Sequence, residues 1–573
     1  MLGMVATGTV RKLDKSLRKG GRTMKPKVFV AVFVAVLLGL GGYAKGGAES
    51  KEATRAQQQE IQSLIVKLQD RDVNVRKEAA ITLAKMAPEV NEAVGVLAGV
   101  LKDKDRYMRS FAAEALGKIG PGAKAVIPQL IEALKDKYSD VRQYAAIALG
   151  QLGGDAKAAV PALIEAMKDK KSSSARAVIA KALGQVGPEP DEVIPALGEA
   201  LKDKDADLSR SAGLVLGTFG RPAVPALLDG LADKRRYVRV NSAKALGQVG
   251  RDAASVAGVA DGLGKATRHK DKITRLWATY AAVKTGVGRK MVDLIEFFKD
   301  RDINVGNAAV EALGEIGPRA INLLIKALKD KDRSVHCNAA RALGRMGPGA
   351  KRAIPALIRI LHWNPNLKYP PTWPNMKLRA KALDALGEMG PAAKRAIPRM
   401  IKLMNIGTEQ MRIHGGRVKV RTGGGHAPVN VRISAARALG KMGPAAGRAV
   451  PILIKNMKHK NLKVRSASTL AMGQIGPAAR PAVPVLVKEL KEKSLDAAEA
   501  LGGIGPKAAA ATPALVETLK HKDWRVRKTA ARALGKIGPA AKAAVPQLTE
   551  ALKDENVEVR AAAAEALKKI QAE

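Results

Sequence analysis

Residues Leu101–Leu134 read LKDKDRYMRSFAAEALGKIGPGAKAVIPQLIEAL, and most of the chain repeats this stretch. Met108, Ala112, Ala115, Leu116 and Ile119 fall at i, i+4, i+7, i+8 and i+11, the apolar stripe of a helix with a 3.6-residue period. We refer to it as helix B. A second stripe, Ile127, Leu130, Ile131 and Leu134, follows at i, i+3, i+4 and i+7, with Pro128 in the first turn, where its missing N–H costs nothing. This is helix A of the next unit. Between them Gly120-Pro121 stops the first helix, because glycine accepts left-handed dihedrals and proline cannot continue a helix. Each pair therefore reads as a helical hairpin.

Working outward, the helix-B glycine or its substitute recurs at Ala84, Gly117, Gly150, Gly184, Gly217, Gly247, Gly314, Gly344, Gly387, Gly440, Gly473, Gly502, Gly535 and Lys568, mostly 29 to 34 residues apart. The long step from Gly247 to Gly314 holds a degenerate copy around Trp277 to Val287. A period in this range predicts an all-α protein, an α-solenoid of about fifteen hairpins over residues 53–573, each burying its stripe against its neighbours. Aromatics make up only 3% of the chain, which suits thin helices stacked closely rather than one thick core.

The repeat resembles HEAT-repeat proteins, and specifically the bilin-lyase-like (PBS lyase) HEAT subclass, whose pattern looks like VR..AA.ALG.IGP.A..AVP.LI.AL.D. Val141 to Met167, Val464 to Leu490 and Val526 to Leu552 follow it closely, and the likeness extends over about nine tenths of the chain. It implies a scaffold shared by unrelated activities rather than one function. In such repeats an Asp ahead of helix B and a basic residue in its first turn are expected to pair and to form a ladder between units. Here Asp70/Arg76, Asp103/Arg109, Asp136/Arg142, Asp233/Arg239 and Asp554/Arg560 keep the spacing. Asp330 faces His336, and His459 and His521 replace the acid opposite Arg465 and Arg527, where a looser ladder is expected.

Ahead of the repeat, Lys25-Pro26-Lys27 precedes the 13-residue apolar run VFVAVFVAVLLGL at 28–40 and the small residues after it. This order resembles a secretory signal peptide, with cleavage after Ala44. The run is short for a membrane span, which needs about 20 residues. The reading divides the N-terminus into a basic extension at 1–23, with Met24 placed where a start is expected, a signal peptide or short anchor at 24–44, and a linker at 45–52. It places the protein in the bacterial periplasm or cell envelope, with 28–44 as the anchor if it is retained.

The formal charge is +46, which predicts attraction for anionic partners. On helix B the outward pairs Glu311/Glu315, Arg341/Arg345, Asp384/Glu388 and Arg437/Lys441 alternate in sign, so neighbouring units are expected to pair across the stack. The turn from helix B to the next helix A differs. Lys124, Lys157, Arg221, Arg319, Lys351, Arg352, Lys394, Arg395, Arg448, Arg480, Lys507 and Lys542 fall there, and a few acids, among them Glu189, Asp191, Glu192 and Asp252, break the row. One edge should be a basic ridge. A cation past helix B also complements the carbonyl end of the helix dipole, but that role does not require acids to be absent.

Two insertions interrupt the pattern, at 362–376 and 405–431. The first, HWNPNLKYPPTWPNM, reads as an ordered loop presenting Trp363, Tyr369 and Trp373. The second contains MRIHGGRVKVRTGGGHAP and reads as a β-hairpin about Gly415-Gly416, decorated by Arg412, Arg417, Lys419 and Arg421. Both are candidate binding loops, or covers over a widened joint.

Signals for catalysis are poor. Of the histidines at 269, 336, 362, 414, 426, 459 and 521, none sits in HExxH or in a Cys/His cluster of zinc spacing. His362, His414 and His426 lie scattered in or beside the insertions, and adjacent His336 and Cys337 project from different faces of a helix. No intrachain disulfide can form, since Cys337 is the single cysteine. The expectation is a monomeric, non-catalytic scaffold or adaptor, with no cofactor and no metal. Its partner is another protein first, then an anionic polymer or anionic membrane surface, with nucleic acid behind them. The alternatives are a nucleic-acid binder resembling HEAT-like DNA glycosylases, and a lyase or lyase subunit resembling bilin lyases.

Overall fold

The computed structural model describes residues 59–571, except for 60, 69, 71, 87–92, 171–172, 188–189, 362–372, 406–411, 414–415, 418–426 and 492–493. The expected leader at 24–44 lies outside the described residues. Among them, no helix is long and apolar enough to cross a membrane. The chain divides into two compact units, Met1–Ala245 and Leu246–Glu573, and each is a row of stacked hairpins.

Within a hairpin the B helices run mostly 13 to 15 residues, as in Arg106–Ile119, and the A helices are mostly shorter, as in Ile127–Ala133. Met108, Ala112, Ala115, Leu116 and Ile119 are all buried, as are Ile127, Leu130 and Leu134, while Ile131 is half-buried. The link from B to A is more ordered than a stop signal implies. Gly120 takes a positive φ of 68°, and the chain continues as a 3-10 helix, Gly120–Val126, running straight into helix A. Small residues make this possible: Ala123 points inward, so three residues per turn can lie close against the core.

Successive B helices approach closely at the recurrent glycine. A Cβ built on Gly387 would lie 2.8 Å from the Cα of Ala438, and one on Gly535 would lie 2.8 Å from the Cα of Ala566. The ALG motif is thus a packing device that lets backbones touch across the stack.

The turn from A to B explains the DKD motif. Its first Asp accepts the N–H two residues on, as in Asp105 N–H to Asp103 at 2.8 Å, and its second caps the B helix, as in Tyr107 N–H to Asp105 at 2.7 Å. The arginine six residues after the first Asp bonds that residue's backbone carbonyl rather than its carboxylate: Arg76 to Asp70 O at 3.0 Å, Arg109 to Asp103 O at 2.8 Å, Arg239 to Asp233 O at 2.9 Å, Arg560 to Asp554 O at 2.8 Å, and likewise Arg142 to Asp136 O. The carboxylate it pairs with belongs to the next hairpin, 27 residues on. Arg109 grips Asp136 at 2.6 and 3.1 Å, Arg176 grips Asp203 at 3.2 and 2.5 Å, and Arg527 grips Asp554 at 2.7 and 2.8 Å. Arg76 reaches Asp103 at 3.3 Å. The ladder between units is present, and the six-residue pairing corrects to a carbonyl contact. A side chain anchored on its own turn can only aim its fork forward.

At three rungs histidine stands in for the first Asp. His269, His459 and His521 each accept the N–H two residues on through Nδ1, at 2.9, 3.0 and 3.0 Å, and their carbonyls still receive Arg275, Arg465 and Arg527 at 2.8, 3.0 and 2.8 Å. The turn survives with histidine in place of the acid. An Nδ1 acceptor must be unprotonated. Burial, then the charges of Arg432, Lys460 and Arg465, hold His459 below its usual pKa. A base whose pKa is depressed by folding contributes stability above its unfolded value near 6.5, and loses it as pH falls through that range. His459→Asp should therefore stabilise the chain by about 1 kcal/mol at pH 7, by setting a carboxylate among the charges of Arg432, Lys460 and Arg465. It should also flatten the dependence of melting temperature on pH between 7 and 5, as followed by circular dichroism.

Candidate functional site

The 3-10 segments share the pattern G-P-x-A-K/R-x-A. Their fourth and seventh residues are buried, as in Ala350 and Ala353, Ala393 and Ala396, and Ala541 and Ala544. The fifth and sixth face outward. Lys124, Lys157, Arg221, Arg319, Lys351, Arg352, Lys394, Arg395, Arg448, Arg480, Lys507 and Lys542 are all exposed. Lys157 takes part in a contact. The other eleven make no ion pair, hydrogen bond or ring contact with the described residues. Within the first unit the row comprises Lys124, Lys157 and Arg221. In the second unit it runs from Arg319 to Lys542, and from Gly317 to Ala544 each 3-10 segment packs against the next.

Helix B behaves otherwise. Glu388 pairs with Lys441 across the stack as expected. Asp384 instead takes Lys381 of its own helix at 3.4 Å, and Arg341 turns to Asn307 and Asn338 at 2.7 and 3.0 Å. Burial and a hydrogen bond to Glu315 hold the Tyr280 hydroxyl well above its usual pKa, with Glu311 also contributing. Arg341 and Glu315 thus take partners other than the ones their alternating signs imply.

The insertions are only partly described. Trp363, Tyr369, Lys419 and Arg421, and with them His362, His414 and His426, lie outside the described residues. Trp373 belongs to no loop: it opens the helix Trp373–Glu388, since Pro374 is tolerated in a first turn. Arg412–Ile413 and Gly416–Arg417 pair antiparallel, with Arg412 opposite Arg417 and Ile413 opposite Gly416. The hairpin is there, but its connection falls one residue before the Gly-Gly pair. Cys337 is buried, and burial pushes its thiol pKa up. Among the described residues no group of three or more His, Cys, Asp or Glu could hold a metal ion.

Sequence reasoning misses a second set of cations, on helix A. Five residues after each helix opens stands an exposed residue, among them Lys326, Arg359, Lys402, Lys455 and Lys488. Aligning the A helices by position would have found it.

With hairpins, rungs and edge in place, the comparison with known families is decisive. The pattern for HEAT repeats matches residues 61–143, 127–214, 194–283, 291–367, 424–496 and 491–568, well over half of the chain. The chain belongs to the HEAT-repeat family. No curated protein matches it. Among solved structures, this HEAT-repeat chain is similar to importin beta, at 13% identity and a TM-score of 0.41, covering 96% of this chain and 87% of that one. It is also similar to a mutant of Kap121p, at 15% identity and a TM-score of 0.34, covering 84% of this chain, and it spans about half (53%) of that protein's length. An engineered protein matches at 20% identity, a TM-score of 0.20, and 90% and 99% coverage. These are likenesses of fold alone.

Proposed function

We propose that this HEAT-repeat protein is a non-catalytic scaffold or adaptor, exported to the bacterial cell envelope, that holds an anionic partner along its 3-10 edge. The observation that carries the reading is the row of exposed, unengaged cations on that edge. On helix B, by contrast, several of the charges find partners, at Glu388–Lys441, Asp384–Lys381 and Arg341–Asn307. Three of the histidines that a catalytic reading would need are spent as turn acceptors, which supports a scaffold over a lyase. The bilin-lyase-like subclass is part of the proposal too, as the source of the repeat and not of its activity.

The test compares two sets of four reversals. Lys351, Arg352, Lys394 and Arg395→Glu should elute from phosphocellulose at much lower salt than the parent, because exposed charges act within a Debye length of about 8–10 Å. Arg341, Arg345, Arg437 and Lys441→Glu, with the same change in net charge, should shift far less. Equal shifts from the two sets would overturn the edge as the site.

A further inference from the structure

The outward position on helix A changes sign along the chain. Five residues after the opening residue it is acidic in Glu132, Glu165 and Asp229 of the first unit, and acidic again in Glu517 and Glu550 near the end of the second, while Glu199 takes the equivalent place in the longer helix Pro190–Leu201, five residues after Ile194. Several of these acids are neutralised: Glu132 pairs with Lys135 at 3.0 Å, Glu165 with Lys168 at 3.5 Å, and Asp229 with Lys202. In five successive hairpins of the second unit the same exposed position is Lys326, Arg359, Lys402, Lys455 and Lys488. The side chains of those five make no ion pair, hydrogen bond or ring contact with the described residues. A solvated position under no constraint would mix signs, whereas this one holds a single sign through one continuous block.

The same hairpins carry the densest part of the edge row: Arg319, Lys351 and Arg352, Lys394 and Arg395, Arg448, and Arg480. Residues 317–329, 347–361, 390–405 and 443–458 contain no Asp or Glu. In 476–491 the single acid, Glu489, receives the Thr469 hydroxyl at 3.3 Å. From Arg319 to Lys326, Arg352 to Arg359, Arg395 to Lys402 and Arg448 to Lys455 is seven residues, roughly 10–12 Å at helical rise. Neighbouring helices pack about 8–10 Å apart. Two parallel rows of cations therefore run across the hairpins, about one helix diameter apart.

We propose that this face, between Gly317 and Lys488, binds a linear phosphate-bearing polymer laid across the hairpins, with the two rows taking phosphates on either side of it. The inference rests on the edge reading above and narrows it to one face and one ligand chemistry. A folded protein partner fits poorly, because interfaces gather aromatic anchors and are depleted in lysine, and among the described residues none of the exposed large apolar side chains lies on this face. A membrane surface fits less well than a polymer, since stable interfacial binding adds inserted apolar groups to the basic charge. A phosphate chain asks only for cations in register.

The test uses the full chain and three probes: long-chain inorganic polyphosphate, a single-stranded oligonucleotide, and phosphatidylglycerol vesicles. The variant with Lys326, Arg359, Lys402, Lys455 and Lys488→Glu should bind the polymers roughly 30-fold or more weakly. Its log K against log salt slope should fall by about four, at roughly 0.7–0.9 for each of the five lost phosphate contacts. The same five changed to Gln should weaken binding in the same order, which guards against misfolding of the reversed form. Whichever of polyphosphate or oligonucleotide responds identifies the source of the phosphate. If the five-site variants bind like the parent while reversal of the edge cations abolishes binding, the helix-A face is overturned and the edge reading stands. If neither set matters, both fail. Binding to vesicles but to neither polymer would overturn the ligand chemistry.

Discussion

Arg109→Ala should lower the stability of the first unit by about 2–3 kcal/mol, between the values for exposed ion pairs and for broken buried ones. One guanidinium holds two hairpins together. It grips Asp136 of the next hairpin at 2.6 and 3.1 Å, and the carbonyls of Asp103 and Lys104 in its own turn at 2.8 and 3.2 Å. Only 11% of the arginine side chain and 12% of the aspartate are exposed, so water cannot replace the lost contacts. Arg210→Ala is the control. Its pair with Asp207 is equally short, at 2.9 Å, but the two side chains are 64% and 73% exposed, and such pairs contribute at most a few tenths of a kcal/mol, about what melting curves resolve. Arg109→Lys should not rescue, because an ammonium cannot make the planar fork.

The same pair has a pH signature. Burial alone would raise the pKa of Asp136, but hydrogen bonds from Arg109 and from the Tyr138 N–H outweigh it and hold the carboxyl below its usual value. A carboxylate depressed by folding contributes stability above its unfolded pKa of about 3.9, and loses it as pH falls through the lower folded value. The gap between parent and Arg109→Ala should therefore be full at pH 7 and close as pH falls from the unfolded value through the lower folded one. A gap that stays constant into acid would mean that the arginine acts by packing and not by charge.

Periodicity makes the hairpins legible, because a buried stripe at i, i+4, i+7 and i+8 leaves little else for Met108 to Ile119 to do. The edge cations are legible for a similar reason: Ala and Gly fill the inward positions of each 3-10 segment, so Lys and Arg must be the outward ones. Partners across the stack are not legible. Asp103 and Arg109 look like a pair six residues apart, yet the carboxylate that Arg109 holds is Asp136. Arg176 escapes the spacing altogether, since a longer turn moves it off register while its aim at Asp203 is unchanged. The start of the helix at Trp373 is hidden by prolines that favour a loop by composition and a first turn by position. Lys326, Arg359, Lys402, Lys455 and Lys488 stand in plain view, but a lysine on a short amphipathic helix has meaning only beside the glutamates that fill its place elsewhere.

Gly387→Val should cost the second unit about 3 kcal/mol, at the upper end of what overpacking a core exacts. Gly387 is buried near the end of its B helix, and a Cβ there would lie 2.8 Å from the Cα and 3.1 Å from the Cβ of Ala438 in the next B helix. The obstacle is backbone, which has no rotamer to yield, so the two helices must part. In a repeat array each hairpin is stabilised through its neighbours, and a weakened joint should therefore divide one unfolding transition into two. Hydrogen exchange should show protection falling first in the hairpins beside Gly387 and Ala438, and last at the far end of the unit. Gly264→Ala supplies the opposite sign within the same unit. Its Cβ would meet nothing within 4 Å, so only the backbone entropy of glycine changes, and the helix Val259–Ala266 should gain about 1 kcal/mol. If both substitutions moved stability in the same direction, the close approach at the recurrent glycine could not be what holds successive B helices together.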